Sequence, residues 1–273
     1  YNPATSVTQA SIFVIGYTQS TDFPVTTGSY SGGSYDAFIS RFDDELNYEV
    51  SAFLGGSDVD YGYAINMDSD GNILVTGRTK SDDADDIPFP TTNGAYQTSI
   101  SGGYDVYVSK LSPDLDSLLS STLIGGSGTE YGYSITFSDD SIFIAGYTAS
   151  QNFPTTNEAY QTSRAGGYDV FISALSTNLD ALVASTYLGG SSQDYCYDIV
   201  LDENGEYLYF TGGTRDSATD YPTQSGYDTT HNGDYDVFVT KFQIDLSGSD
   251  ALVASTFIGG DDTDYGKNRI RSI

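Results

Sequence analysis

Acidic side chains recur at matching places along this chain and are its best candidates for chemistry. An acid stands directly before a tyrosine four times, at Asp60, Glu130, Asp194 and Asp264. If the repeats surround one axis, these carboxylates form a ring whose like charges repel, and one Ca²⁺, which takes about six to eight oxygen ligands, would hold them together. Hydrogen bonds from the backbone N–H groups of a neighbouring Gly-Gly turn are the alternative.

Two further acidic patterns are candidates for local structure or for a cation. Acids that directly follow a tyrosine, which we expect to accept hydrogen bonds from turn N–H groups, are Asp36, Asp105, Asp169 and Asp236. The acids of a short run, which are either a second Ca²⁺ candidate or simply solvated, are Asp82, Asp83, Asp85 and Asp86. The stretch Asn66-x-Asp68-x-Asp70-Gly71 has Gly77 where a Ca²⁺ loop needs glutamate, so we interpret it as a hairpin turn. Ca²⁺ is the one cofactor these patterns suggest, and none requires it.

The composition excludes several classes of protein. The 273 residues include 38 acidic and 10 basic side chains, for a net charge of −28, which argues against a nucleic-acid partner. One histidine and one cysteine leave almost nothing for a Ser-His-Asp triad or a multi-histidine metal site. We therefore predict that the protein is not an enzyme, although a glycosidase-type pair of carboxylates stays open. No apolar run reaches the roughly 20 residues of a membrane-spanning helix.

The acids lie within a fourfold internal repeat. Tyr-Asp pairs begin at residues 35, 104, 168 and 235, and Gly-Gly pairs begin at residues 55, 125, 189 and 259. Each repeat predicts four strands, such as Tyr61–Met67, Ile73–Thr79, Tyr104–Leu111 and Leu119–Ile124. The last three are apolar on nearly consecutive residues, which is typical of strands buried on both faces. The sequence therefore predicts an all-β fold, a four-bladed β-propeller of four-stranded antiparallel blades.

The repeat also resembles a known family. Leu54-Gly-Gly-Ser57, Asp60-Tyr-Gly-Tyr63, Val75-Thr-Gly77, Phe89-Pro-Thr-Thr92 and Gly103-Tyr-Asp-Val106 are similar to the SBBP-type β-propeller repeat of secreted bacterial and archaeal proteins. The resemblance covers residues 11–267. It implies a propeller fold and an extracellular or cell-surface location, and it carries over no catalytic residues.

The two chain ends compete for one position in the ring. The first repeat supplies three strands and needs a fourth, which either terminus can provide. The N-terminal candidate contains Tyr1, Pro3 and Val7, and the C-terminal candidate places Lys267, Arg269 and Arg271 on one face. Pairing of terminal segments is therefore expected to close the ring. We divide the chain into an arm, residues 1–10, which is available for exchange with a neighbour, and one propeller domain, residues 11–273, of four repeats of about 67 residues.

Two functions follow from this organisation. A surplus terminal strand can add to the sheet of another copy, which predicts an extracellular structural protein that assembles with itself into a filament or array. Closure of each ring by its own termini is the alternative to exchange. The second function is a secreted lectin-like or adhesion propeller that binds surface glycans or protein through its long loops, with Tyr96 and Tyr160 as ligand residues.

Overall fold

The computed structural model describes residues 10–82, 84, 86–215 and 220–264, and these contain strands but no helix. The fifteen strands are β1 (Ile12–Thr18), β2 (Asp36–Phe42), β3 (Tyr48–Leu54), β4 (Asp60–Met67), β5 (Ile73–Thr79), β6 (Asp105–Leu111), β7 (Leu118–Ile124), β8 (Glu130–Phe137), β9 (Ser141–Thr148), β10 (Asp169–Ser176), β11 (Leu182–Leu188), β12 (Gln193–Leu201), β13 (Tyr207–Arg215), β14 (Asp236–Gln243) and β15 (Leu252–Ile258). The all-β prediction is confirmed.

The strands form four antiparallel sheets in chain order. Sheet 1 contains β1 to β3, sheet 2 contains β4 to β7, sheet 3 contains β8 to β11, and sheet 4 contains β12 to β15. Within each sheet, every strand pairs with the strand next to it in the sequence, as expected for the blades of a propeller. Within the described residues sheet 1 has three strands, whereas the other sheets have four. The two chain ends that compete for the missing place, residues 1–9 and 265–273, lie outside the described part.

Short polar turns explain where the strands end. In the β4–β5 hairpin, the Asp68 carboxylate accepts hydrogen bonds from the backbone N–H groups of Asp70 (3.0 Å) and Asn72 (2.8 Å). Gly71 takes a φ of +84°, which glycine adopts without a Cβ clash. This is the stretch that resembled a Ca²⁺ loop, and its interpretation as a hairpin turn is confirmed.

At three junctions, the facing sides of neighbouring sheets pack against each other. Alternate residues of β5 point in opposite directions, so Ile73 and Val75 pack with Ile39 of sheet 1, whereas Leu74 packs with Ile144 of sheet 3. A further apolar cluster joins sheets 3 and 4. The consecutive apolar residues of the sequence thus reflect cores on both sides of each central strand.

The long loops add a second contact between successive sheets. The backbone N–H of Tyr96, in the β5–β6 loop, donates to the carbonyl of Leu179 at 3.0 Å, and that of Tyr160 donates to Leu246 at 3.1 Å. Both leucines are fully buried in tight turns with left-handed backbone, at φ +60° and +54°. Such a conformation is costly for leucine, and the surrounding contacts offset it.

The fourth junction, between sheets 4 and 1, is uncovered in the described residues. Ile12 and Val14 of β1 are 39% and 43% exposed, whereas Ile73 and Val75 at the same places in β5 are 0% exposed. On sheet 4, Ile258 is 59% exposed, whereas its counterpart Ile124 is fully buried. This surface between β1 and sheet 4 is called the open junction below.

The loop contact is also missing at the open junction. Tyr227 corresponds to Tyr96 and Tyr160, since each lies eight residues before the tyrosine of a Tyr-Asp pair. Tyr227 is 95% exposed, and Leu46, which corresponds to Leu179 and Leu246, is 68% exposed. Both halves of the contact are therefore present without meeting each other.

Two equivalent glycines test this difference between junctions. A Cβ on Gly126 would lie 2.6 Å from Ser150 Cβ, whereas the nearest described atom to a Cβ on Gly260 would be Asp264 Oδ2 at 3.9 Å. We expect Gly126→Ala to lower the free energy of unfolding by about 1–3 kcal/mol, because the added methyl group overpacks a closed junction. Gly260→Ala is the matched control and should change it by less than about 0.5 kcal/mol. Urea denaturation measures both, and equal losses would contradict an open junction.

Candidate functional site

The acids that precede a tyrosine bind the Gly-Gly turns. The backbone N–H of the second glycine donates to the acid at each sheet end, at 2.8 Å for Gly56–Asp60 and 3.0 Å for Gly126–Glu130. The same bonds are 2.8 Å for Gly190–Asp194 and 2.7 Å for Gly260–Asp264. The structure thus has the hydrogen-bonded alternative to a calcium ring, and the described residues contain no group of three or more acidic, histidine or cysteine side chains that could hold a metal ion.

The acids that follow a tyrosine bind the preceding loop, as predicted. The Asp105 carboxylate accepts hydrogen bonds from the backbone N–H of Ser101 at 2.9 Å and from Gln97 Nε2 at 2.5 Å. Asp169 accepts equivalent bonds from two backbone N–H groups and a glutamine. These contacts hold the start of β6 and the start of β10 to the loop that precedes each strand.

The two sets of acids lie near one another at the junctions, where each acid of one set repels one of the other, and each such couple is called a carboxyl pair below. The four pairs are Asp36 with Asp60, Asp105 with Glu130, Asp169 with Asp194, and Asp236 with Asp264. In two of the turns the first glycine lies against both acids of the pair: a Cβ on Gly189 would lie 2.7 Å from Asp194 Oδ2 and 2.8 Å from Asp169 Cγ, and Gly259 lies in the same way between Asp236 and Asp264. Only glycine leaves room for both carboxyl groups there.

Burial changes the acidity of these pairs. All members except Asp264 are fully buried. Loss of hydration raises the pKa of Asp36 and Asp60 to about 6, and that of Asp105 and Asp194 to about 7, with repulsion inside the pair as a smaller cause for Asp60, Asp105 and Asp194. The Asp105 Oδ1 atom accepts no hydrogen bond within the described residues, which also favours a protonated carboxyl group.

The acidic run in the β5–β6 loop is only partly described. Asp82 accepts a hydrogen bond from the backbone N–H of Ala84 at 2.6 Å, and Asp86 is exposed. Asp83 and Asp85 lie outside the described residues, so the cation site predicted on this run stays a prediction.

Tyrosines fill the centre of the molecule, where the sheets converge. This tyrosine centre consists of Tyr17, Tyr35, Tyr61, Tyr63, Tyr104, Tyr131, Tyr133, Tyr147, Tyr168, Tyr195, Tyr197 and Tyr235, which form one network of ring contacts. The rings of Tyr63 and Tyr133 stack at 4.9 Å, and those of Tyr133 and Tyr197 meet edge to face at 5.8 Å. The first strands of sheets 2, 3 and 4, which are β4, β8 and β12 and are called inner strands below, therefore touch through their second tyrosine. We did not predict this cluster, although the Tyr-x-Tyr spacing after each acid signals it.

The side chain of Arg78 lies among the rings of the tyrosine centre. Its guanidinium carbon lies 4.6 Å, 4.3 Å and 4.0 Å from the ring centroids of Tyr61, Tyr104 and Tyr131. Tyr17 and Tyr147 occupy the same place in sheets 1 and 3, and Gly213 occupies it in sheet 4. The cation thus replaces a ring in an aromatic environment that favours positive charge.

A cavity of about 300 Å³ lies on the sheet 4 side of the centre. Its lining residues are Tyr195, Tyr197, Arg215, Asp234, Tyr235 and Thr263. The described chain ends beside it at Asp264, one residue after Thr263.

The residues predicted for ligand binding are described by the structure, whereas those predicted for assembly are not. Tyr96 and Tyr160 are half-buried and pack against the cores of the next sheet, Tyr160 at 5.4 Å from the ring of Phe242. The structure does not bring them together, and burial raises the pKa of both phenols. The predicted assembly residues all lie outside the described residues: Tyr1, Pro3, Val7, Lys267, Arg269 and Arg271.

Comparisons with known proteins support the repeat. Residues 52–83 match the family model SBBP, described as a beta-propeller repeat, so the chain carries an SBBP repeat as its motifs predicted. No curated protein matches the chain. Among solved structures it is similar to Kuenenia stuttgartiensis hydrazine synthase, with 9% sequence identity and a TM-score of 0.42, over 77% of this chain and 47% of that one. This chain thus matches about half the length of that protein. Among the described residues, no helix long and apolar enough to cross a bilayer is found.

The cation in the tyrosine centre gives one testable prediction. Arg78→Ala should lower the free energy of unfolding by about 1–3 kcal/mol, because it removes the cation and leaves a gap between three rings. Arg78→Tyr should retain most of the stability, because tyrosine fills this place in sheets 1 and 3. Chemical denaturation followed by tyrosine fluorescence measures both. Equal losses of stability in the two variants would contradict a preference for a ring or a cation at position 78.

The buried carboxyl pairs predict an unusual dependence on pH. Their pKa values are higher in the folded than in the unfolded chain, so their contribution to stability is complete below about pH 3.9 and is lost as the pH rises through about 6 to 7. We expect a lower free energy of unfolding at pH 8 than at pH 5. Asp105→Asn should reduce this difference by at least about 1.4 kcal/mol, the equivalent of one pKa unit. The exposed Asp139→Asn is the control, and wild-type stability that is equal at both pH values would contradict the prediction.

Proposed function

We propose that this protein is an extracellular structural subunit that assembles with copies of itself by passing a terminal segment across the open junction. The observation that carries the proposal is β1, whose outer edge has no partner strand among the described residues and whose apolar residues are exposed where every other sheet has a first strand. Addition of one strand would complete sheet 1 as the fourth blade of a propeller.

The two sides of the open junction match in chemistry. Val237 and Val239 of β14 are only half-buried, whereas Val106 and Val108 at the same places in β6 are fully buried. Ile12 and Val14 are the apolar residues on the facing side. Because each side is built like the closed junctions, sheet 4 of one copy can pack on sheet 1 of the next.

Backbone groups favour the same contact. An edge strand offers a row of unpaired N–H and C=O groups, which another strand can satisfy by β-augmentation. β1 carries no proline and no charged residue to prevent this, since its sequence is IFVIGYT. The partner in such a contact is another copy of this chain.

Charge and symmetry favour an open polymer. Three of the 10 basic residues lie within the last seven positions, whereas the whole chain has a net charge of −28, so the basic end is attracted to another copy. A contact between two different faces is heterologous and produces filaments when its rotation does not close. The SBBP resemblance and the acidic surface support a location outside the cell.

Blocking the edge of β1 tests this function. Val14→Lys places a charge on the proposed contact edge of β1 and should shift the protein from oligomers to monomers in light scattering, over a range of concentrations. Val183→Lys is the matched control, because Val183 is similarly exposed on the outer strand β11, and should leave assembly unchanged. Circular dichroism verifies that both variants are folded. Wild-type protein that is monomeric at every concentration would overturn the proposal.

A further inference from the structure

We infer that the cavity of about 300 Å³ on the sheet 4 side of the tyrosine centre is a binding site for a neutral sugar ring. Its lining residues all belong to the described part of the chain, and they include neither Tyr96 nor Tyr160. Cavities of about 300 Å³ and above hold small molecules in other proteins. The site adds a binding activity that does not depend on self-assembly.

A glycine in the fourth repeat explains why the cavity lies there. Gly213 corresponds to Arg78, whose guanidinium carbon lies 4.3 Å from the ring centroid of Tyr104. The phenol of Tyr235 instead lies directly on the backbone of Gly213, where an added Cβ would clash with it. Tyr235 is therefore only 7% exposed, whereas its counterparts Tyr104 and Tyr168 are half-buried. The deeper ring of Tyr235 forms the floor of the cavity.

Asp234 gives the cavity an acid that the other repeats lack. It stands directly before the Tyr-Asp pair, where the other repeats have Ser34, Gly103 and Gly167. Asp234 is exposed, so its carboxylate belongs to the rim of the cavity and not to the floor. Serine or glycine at this place is sufficient for the fold, so the charge in the fourth repeat is a candidate for binding.

Arg215 gives the rim the opposite charge. It is exposed, and it corresponds to Lys80 of the second repeat, which pairs with Asp58 at 3.5 Å. The ion pairs between described residues include neither Arg215 nor Asp234. Both charges are thus available to a ligand, and because they cancel, the cavity favours a neutral ligand over an ion.

Three tyrosine rings supply the apolar part of the lining. Tyr195 and Tyr197 are nearly parallel, with 7° between their planes, and the planes of Tyr195 and Tyr235 differ by 28°. The hydroxyl groups of Tyr197 and Tyr235 lie 3.1 Å apart, and each oxygen has capacity for a further hydrogen bond. The cavity therefore combines flat apolar surfaces with polar groups at their edges.

A sugar ring matches this combination. Its C–H face packs on a phenol ring, and its neighbouring hydroxyl groups bind the guanidinium of Arg215 and the carboxylate of Asp234 by charge-assisted hydrogen bonds. A free amino acid also carries two opposite charges, but it has few hydrogen-bonding groups left for the phenol hydroxyls. An acidic sugar is disfavoured, because the chain has a net charge of −28.

Saturation-transfer NMR tests the site with four probes, the methyl glycosides of glucose, galactose, mannose and N-acetylglucosamine. At least one should bind the wild-type protein with a Kd of about 10 mM or tighter. Arg215→Ala and Asp234→Ala should each weaken that binding about tenfold or more, because each removes charge-assisted hydrogen bonds. Lys80→Ala is the matched control and should leave binding unchanged. If no probe reaches this affinity, or if all three variants bind equally, the inference is overturned.

A substitution at Gly213 tests whether the cavity itself is the site. Gly213→Tyr introduces the residue that Tyr17 and Tyr147 provide in sheets 1 and 3, and it displaces the ring of Tyr235 into the cavity. The variant should lose sugar binding, while circular dichroism verifies that it is folded. A folded Gly213→Tyr protein that binds like the wild type would place the sugar elsewhere and overturn the assignment.

Two competitors test the class of ligand. Methyl glucuronide, which is acidic, should bind more weakly than the best neutral probe, because the chain is strongly acidic. L-Leucine and L-phenylalanine, added in excess, should not displace the bound glycoside. Tighter binding of the glucuronide, or displacement by either amino acid, would contradict a site for a neutral sugar.

Discussion

The architecture depends on one constraint: a strand that is apolar on both faces must be covered on both. Ile73, Leu74 and Val75 are consecutive and fully buried, which is possible only because sheet 2 has a neighbour on each side. Each sheet added to the molecule covers its predecessor and exposes a new apolar face. A chain of four such sheets ends with two uncovered faces, and a ring or a polymer is the way to bury them.

Buried acids at the junctions add specificity to this apolar packing. Beside each Gly-Gly turn, the acid that begins one sheet accepts a hydrogen bond from the turn that ends the previous sheet, as Glu130 does from Gly126, whereas Asp105 holds the loop of its own sheet. Hydrophobic burial alone would tolerate a sliding contact between sheets. The buried carboxyl groups allow only one relative position of neighbouring sheets. In any other position they would lose their N–H donors, and an unsatisfied buried carboxyl group is costly.

The sequence is sufficient to predict the sheets but not the centre. The bounds of Ile12–Thr18 and Ile73–Thr79 follow from β-branched residues between polar turns, and the structure has the same bounds. The Gly-Gly contact of Asp60 was one of two alternatives that the sequence left open. Tyr63 and Tyr133 could not be placed in advance, because tyrosine suits a surface as well as a core and the spacing does not show that rings from separate sheets meet. Lys267 lies outside the described residues, so its predicted role in assembly stays a prediction.

The tyrosine centre also determines how the molecule can be observed. The chain has no tryptophan and 24 tyrosines, so its ultraviolet emission comes from phenols alone. Many of those phenols belong to one cluster of coupled rings, in which Tyr131 and Tyr133 are nearly parallel, with 6° between their planes. Rings held in fixed, chiral contact produce a strong near-ultraviolet dichroism that vanishes when they separate. The protein thus carries an intrinsic optical reporter at its axis, sensitive to any event that inserts or withdraws an inner strand.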